Sequence, residues 1–199
     1  MKAMLRAAAV IGALTAVLVG CGSPARSVES PSSAPPPPNW YVSPRPVAIA
    51  VDDVDPCTLI RKDQYQKYDI LGGSYIPVHE TGWVHGPLCF WVSTYNHQGS
   101  DSYTSRVVTD HGIEYALNDQ EPYRIIEGFA AQPLVSPGSD PSHWCGMMVD
   151  IAPGRALSAS YDDGLEASQK LGIGRKQVCD KAAEMAKDMI LNLRAQRHQ

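Results

Sequence analysis

The stretch WCGMMVDIAPG, residues 144–154, decides the fold class of this chain. Its side chains alternate between an apolar face and a mixed face, which is the two-residue period of a β-strand. The apolar face carries Cys145, Met147, Val149 and Ile151, and the mixed face carries Gly146, Met148 and Asp150. This pattern predicts a half-buried antiparallel strand. Pro153-Gly154 then supplies a turn, and residues 155–161 form the expected hairpin partner.

Other segments also predict strands, because they are rich in aromatic and β-branched residues. These segments are residues 87–95, residues 103–109 and a region within residues 123–135. In the first of them, the two-residue period places Cys89 and Trp91 on one face.

Helices are expected at both ends of this strand-rich region. In DPCTLIRKDQYQKY, residues 55–68, Asp55 is a good N-cap and Pro56 suits the first helical position, so we expect two to three turns before Gly72-Gly73. Residues 174–196 repeat apolar side chains every three or four positions, which predicts an amphipathic helix of about five turns. The expected fold class is therefore α+β, an antiparallel sheet packed against N-terminal and C-terminal helices.

The N-terminus predicts export and lipid attachment. Lys2 and Arg6 precede an uncharged apolar run, which is typical of a secretory signal peptide over residues 1–20. The run ends in LVGC, which resembles a bacterial lipobox and implies acylation of Cys21 with anchoring at the outer face of the cell membrane. A buried helix of the mature fold and a secreted protein with a chance cysteine are the alternatives.

Residues 21–54 predict a tether, because serines and four consecutive prolines cannot bury enough surface to fold. A Pro-rich ligand for an aromatic groove is an alternative. The globular domain is expected over residues 55–196.

The charge argues against two classes of partner. The formal net charge is −4, and cleavage of the signal peptide would remove Lys2 and Arg6 and leave it more negative. This balance disfavours nucleic acid and a polybasic attachment to anionic lipid.

Four cysteines remain after Cys21, and an even number in an exported domain predicts two disulfides. Three pairings are possible, and we expect Cys57–Cys179 and Cys89–Cys145. A metal site or a redox couple is the alternative, but no CxxC is present and the spacings match no zinc motif.

Four motifs follow one another behind the lipobox. They are DPCTLI (residues 55–60), CFW (89–91), CGMMVDI (145–151) and CDKAAEMA (179–186). In this order they resemble the small secreted lipoproteins of actinobacteria, of the mycobacterial type, that share a four-cysteine domain of unknown function. The resemblance implies a cell-envelope lipoprotein with a PsbP-like sandwich, a sheet between helices. It implies no activity and no catalytic residue.

Motifs of common enzyme classes are missing. The chain contains no GxSxG, HExxH, Walker loop or GxGxxG after a strand. Ser168 and Lys170 lack the flanking motifs of penicillin-binding enzymes. His79, Glu80 and His85 could be imagined as metal ligands, but their Gly- and Pro-containing segment predicts an exposed loop.

Other polar and aromatic residues have structural interpretations. The remaining histidines, His97, His111, His143 and His198, are scattered. Asp52 and Asp53 lack the glycine and glutamate of a calcium loop, and with Asp55 they are expected to cap the first helix. The tryptophans and tyrosines are expected mainly in the core, with some at a cleft where one edge stays wet.

The expected function is that of a non-enzymatic, membrane-anchored interaction module of the cell envelope. The expected contacts are the membrane, through acylated Cys21, and an envelope protein. A carrier of a lipid or other small apolar ligand in a pocket between sheet and helix is the alternative, and a glycan-binding module and an unrecognised hydrolase are further alternatives. We expect no cofactor and no metal.

Overall fold

A computed structural model describes residues 45–77, 84–93, 101–117, 121–134, 142–164 and 172–198. The predicted signal peptide, Cys21 and most of the predicted tether lie outside these ranges. In chain order the elements are η1 (Pro56–Thr58), η2 (Lys62–Tyr68), β1 (Ile70–Ile76), β2 (Leu88–Ser93), β3 (Ser102–Val108), η3 (Ile113–Tyr115), β4 (Arg124–Ile126), β5 (Phe129–Leu134), β6 (Trp144–Ala152), β7 (Arg155–Asp162) and α1 (Arg175–Gln196), where η denotes a 3₁₀ helix.

The strands in the described ranges form one antiparallel sheet in the order β1-β2-β3-β7-β6-β5-β4. The hairpin β6–β7 lies near its centre, as the sequence predicts, with Pro153-Gly154 in the turn. The outermost strands are β1 and β4. The antiparallel sheet and the C-terminal helix of the expected α+β fold are thus confirmed.

Helix α1 covers β6 and β7 on one face of the sheet. Its buried residues are spaced as predicted, and the largest include Val178, Met185, Met189, Ile190 and Leu193. They pack against the face of β6 that carries Cys145 and Met147, both of which have no exposed surface. This contact is the main core of the domain.

The second face of β6 is buried too, so the predicted half-buried strand is wrong in this respect. Met148 is fully buried against Ile113 and Ala116 of the segment that contains η3. A Cβ added at Gly146 would lie 2.8 Å from Leu134 Cδ1, so a larger residue at this position would require the Leu134 side chain to shift. The period-two pattern identified the strand but did not predict that a loop would cover its mixed face.

The predicted N-terminal helix is also wrong, since two short 3₁₀ helices replace it. Asp55 does cap the first, because its carboxylate accepts a hydrogen bond from the Cys57 amide at 2.8 Å. Arg61 then takes an extended conformation that ends this turn, and Asp69, with φ of 51°, ends η2. The glycines expected to follow the helix instead lie within β1.

Residues 45–54 belong to the folded part, although their Pro-rich context placed them in the tether. Ile49 and Val51 have no exposed surface, and the Ile49 amide donates to the Ile151 carbonyl at 3.1 Å. The Arg45 guanidinium binds the Asp150 carboxylate at 2.9 Å. The folded part therefore begins before Asp55.

Two disulfides are present, but the expected pairing is wrong. The bonds join Cys57 to Cys89 and Cys145 to Cys179, each with a Cα–Cα distance of 5.0 Å. Cys89 on β2 and Cys145 on β6 are separated by two further strands, β3 and β7. Three strand spacings amount to about 14 Å, which exceeds the reach of a disulfide. Each bond instead joins an adjacent helix to a strand.

Peptide mapping without reduction should recover Cys57 joined to Cys89 and Cys145 joined to Cys179. Replacing both Cys145 and Cys179 by alanine should lower the free energy of unfolding by about 3–4 kcal/mol, because the closed loop of the denatured chain is lost. Urea denaturation measures this change. A peptide joining Cys89 to Cys145 would contradict the fold, since those strands are not neighbours.

Candidate functional site

Several residues considered from the sequence lie outside the described ranges or have structural partners. Cys21, His79, Glu80, Ser168 and Lys170 lie outside the described residues. The four domain cysteines, Cys57, Cys89, Cys145 and Cys179, form disulfides, so their sulfurs are not free thiols.

The aspartates before η1 do not all cap it as expected. Asp55 is the cap, but Asp52 binds Arg155 at 2.5 Å and Asp53 forms an ion pair with Arg197. These pairs bring the N-terminal segment to the β6–β7 turn and to the end of α1.

One end of the sheet forms a polar cleft of about 310 Å³ beside α1. We call it the tyrosine cleft. Its principal side chains are Tyr68, Asp101, Tyr103, Tyr161, Lys181 and Glu184. The chain contributes them from the end of η2, the start of β3, the end of β7 and the exposed side of α1.

The strand register places Tyr103 beside Tyr161, and Tyr68 at the end of η2 lies next to them. Trp91, Tyr103 and Tyr161 are cross-strand partners on β2, β3 and β7, so their side chains share one face of the sheet. The ring centroids of Tyr103 and Tyr161 are 4.7 Å apart, and Tyr68 lies edge-on to Tyr103 at 5.2 Å. Trp91 is fully buried and donates to Ser105 Oγ at 3.2 Å, as expected of a core residue.

A hydrogen-bonded chain crosses one side of the cleft. Lys181 Nζ donates to the Tyr161 hydroxyl at 2.9 Å, and this hydroxyl donates to Asp101 Oδ2 at 3.3 Å. The Lys181 ammonium also lies 4.3 Å from the centre of the Tyr161 ring. Burial raises the pKa of Asp101, and the charge of Lys181 partly offsets this rise.

On the opposite side, Lys67 is held by two carboxylates of α1. Its ammonium lies 3.1 Å from Glu184 and 2.8 Å from Asp188. The Tyr68 hydroxyl donates to the same Asp188 oxygen at 2.8 Å. Burial, and secondly this hydrogen bond, raise the pKa of Tyr68, which therefore stays a protonated donor at neutral pH.

Tyr103 lies between these two sides. It is only 6% exposed and lines the cleft, and its hydroxyl is not one of the buried polar atoms that lack a hydrogen-bond partner in the described ranges. Burial raises the pKa of Tyr103, so the hydroxyl keeps its proton at neutral pH. The cleft thus contains a protonated tyrosine hydroxyl that can both donate and accept a hydrogen bond.

A second feature, which we call the β1 edge, comprises Ile70–Ile76. This strand carries no charged residue, and among the described strands it pairs with β2 alone. Leu71 is 81% exposed and Tyr75 52% exposed. Phe90 and Val92 on β2 are also exposed. They lie on the face of the sheet opposite to Cys89 and Trp91, whereas Tyr75 pairs with Cys89 and shares its face.

The opposite edge differs in length and charge. Strand β4 has three residues, and Arg124 at its start binds Asp180 of α1 at 3.0 Å. After the strand, Glu127 binds Lys187 of α1 at 3.6 Å. Short length and charge are two of the usual protections of an exposed edge strand, and β1 has neither, although its register with β2 is interrupted by a bulge between Ile70 and Gly73.

The described residues also include one cluster with metal-ligand spacing. The ligand atoms of His143, Asp162 and Asp163 lie within 4.8 Å of one another. His143 Nδ1 already lies 3.1 Å from Asp162 Oδ1, and the Gly164 amide donates to that oxygen at 2.9 Å. These hydrogen bonds account for the proximity of His143 and Asp162 without a metal ion.

A family model described as a protein of unknown function, DUF3558, matches residues 16–192. The chain belongs to this family. The four-cysteine domain of unknown function that the motifs implied is thereby confirmed at the level of the domain. No curated protein and no solved structure matches the chain.

The DUF3558 match includes every described strand, both disulfides and all residues of the tyrosine cleft. It starts before Cys21. In the part of the chain that the structure describes, no helix is long and apolar enough to cross a membrane.

Sequence reasoning on this DUF3558 chain missed the cleft for a simple reason. Asp101, Tyr161 and Lys181 come from three elements and form no local motif. Tyrosines at a wet rim were expected, but the register that aligns Tyr103 with Tyr161 depends on β3 pairing with β7, which no local pattern specifies.

Proposed function

We propose that this DUF3558 chain is a lipid-anchored, extracytoplasmic module that binds another protein of the cell envelope through its β1 edge. A signal peptide over residues 1–20 and acylation of Cys21 would place the domain outside the cell membrane. The family match begins at residue 16 and so includes Cys21. We also propose the actinobacterial lipoprotein relationship and the PsbP-like sandwich on the strength of the motifs.

The β1 edge carries the proposal of protein binding. An edge strand offers backbone N–H and C=O groups that an extended segment of a partner can pair with, as in β-augmentation. The absence of charge along Ile70–Ile76 removes the usual obstacle to such pairing. The exposed side chains of Leu71 and Tyr75 favour an uncharged partner strand with apolar residues at alternate positions.

The packing of the core favours a protein-binding module over a carrier of an apolar ligand. The space between the sheet and α1 is occupied by large, fully buried side chains such as Met147, Leu157 and Met185. The tyrosine cleft is lined by carboxylates, ammonium groups and hydroxyls, which would lose hydration against an apolar ligand.

We also propose that the chain is not an enzyme. The cysteines of the domain are bound in disulfides and are therefore not nucleophiles. The Lys181 ammonium, the Tyr161 hydroxyl and the Asp101 carboxylate hydrogen-bond to one another, an arrangement that also serves to order the cleft.

Lipid attachment can be tested by growing cells with labelled palmitate. The wild-type chain and a Ser23→Ala control should incorporate the label, whereas Cys21→Ala should not, because the acylated sulfur is missing. Equal labelling of the Cys21→Ala chain would contradict the proposed anchor.

Protein binding can be tested by placing a photoreactive phenylalanine analogue at Leu71 in intact cells, with Leu191 of α1 as the control position. Leu191 is also exposed, at 39%, but lies away from β1. The expected result is a covalent adduct with a second protein from position 71 only.

The adduct should disappear when Gly72→Lys is added, because the charge obstructs strand pairing. An added Cβ at Gly72 meets no atom within 4 Å, so the fold should tolerate the change. The matched control Gln66→Lys, at an exposed residue of η2, should leave the adduct in place. An adduct that persists with Gly72→Lys would overturn the β1-edge proposal, and an adduct with the mass of two copies would replace the partner with a second copy of the chain.

A further inference from the structure

We propose that the tyrosine cleft binds a neutral saccharide. The starting observation is Tyr103, a largely buried residue whose side chain lines the cleft. A protonated tyrosine hydroxyl both donates and accepts hydrogen bonds, so in the cleft it can exchange a water molecule for a ligand hydroxyl.

The charges of the cleft favour a neutral ligand over an anion. Lys67 is already bound by Glu184 and Asp188. Lys181 is connected to Asp101 through the Tyr161 hydroxyl. With both ammonium groups engaged and several carboxylates nearby, an anionic ligand would meet repulsion rather than a free positive charge.

A cationic ligand is disfavoured by the tyrosine rings. A cation would bind over the faces of aromatic rings, but the ammonium of Lys67 lies 5.1 Å from the centre of the Tyr68 ring, and that of Lys181 lies 4.3 Å from the Tyr161 ring. The chain's own lysines therefore occupy the places that an external cation would take.

Saccharide hydroxyls match the remaining groups. Each hydroxyl both donates and accepts, as does the Tyr103 hydroxyl, while Lys181 has further N–H donors and Asp101 has further lone pairs. The volume of about 310 Å³ lies at the lower end of ligand pockets, which suits one or two sugar rings. The proposed ligand is therefore a mono- or disaccharide unit, free or at the end of a glycan.

The test is saturation-transfer NMR on the full chain in a zwitterionic, sugar-free detergent. The probes are maltose, cellobiose and N,N′-diacetylchitobiose at about 10 mM, a concentration suited to millimolar affinity. At least one should receive saturation from the protein. Sodium sulfate and spermidine, added in turn, should not displace it, because the cleft favours neither anions nor cations.

Variants assign the signal to the cleft. Tyr103→Phe and Asp101→Asn should each weaken binding about threefold to tenfold, since each removes one hydrogen-bonding group. Tyr75→Phe on the β1 edge and Asp63→Asn in η2 are the matched controls and should bind like the wild type. Circular dichroism checks that all variants are folded.

No saturation of any of the three sugars, or equal binding by the folded Tyr103→Phe and Asp101→Asn chains, would overturn the saccharide proposal. Displacement of the sugar by sulfate or by spermidine would mean that the cleft binds an anion or a cation instead. None of these results bears on the β1 edge, which the crosslinking experiment tests separately.

Discussion

The structure depends on the contact between α1 and the central hairpin β6–β7. Cys145 on β6 and Cys179 on α1 are joined covalently, and the apolar stripe of the helix covers the strand on either side of that bond. Burial of this stripe favours folding, since burial of apolar surface is the dominant favourable term. The second disulfide, Cys57–Cys89, similarly holds η1 against β2.

The position of the helix makes the two sides of the sheet unequal. Because α1 lies over β6 and β7, its charged outer residues reach β4 and neutralise that edge. β1 lies at the opposite end of the sheet order, and the 3₁₀ helices η1 and η2 contact it instead. The proposed protein-binding edge is thus the one that α1 does not reach.

The same geometry explains where the tyrosine cleft lies. Lys181 and Glu184 of α1 meet the ends of β3 and β7, while η2 supplies Lys67 and Tyr68. A cleft at such a junction combines groups from elements far apart in sequence. The cleft adjoins the start of β1, because Asp69 and Ser93 line it and Ser93 pairs with Ile70. Separate measurements therefore test the proposed saccharide site and the proposed protein-binding edge.

Local patterns predicted the elements better than their arrangement. The alternation in residues 144–154 and the helical spacing in residues 174–196 correctly identified β6 and α1, because each depends on one buried face. Strand order is non-local, and for that reason the disulfide pairing was wrong. Tyr103 and Tyr161 likewise gave no sign that they would be neighbours.

Two local signals were also misread. The glycine pair in β1 resembled the end of a helix, although a β-bulge accommodates it there. Ile49 and Val51 alternate as in a buried extended segment, but the prolines before them predict a tether. In both segments periodicity is the better guide to the structure than composition.

Hydrogen–deuterium exchange of the monomeric chain, measured residue by residue, tests the account most directly. The structure predicts the slowest exchange for amides of β6, β7 and α1. It also predicts an alternation of slow and fast amides along Ile70–Ile76, because only alternate amides of an edge strand face β2. Uniform protection of Ile70–Ile76 at the level of β6 would mean that another part of the chain covers this edge, and it would contradict the proposal of an open binding strand.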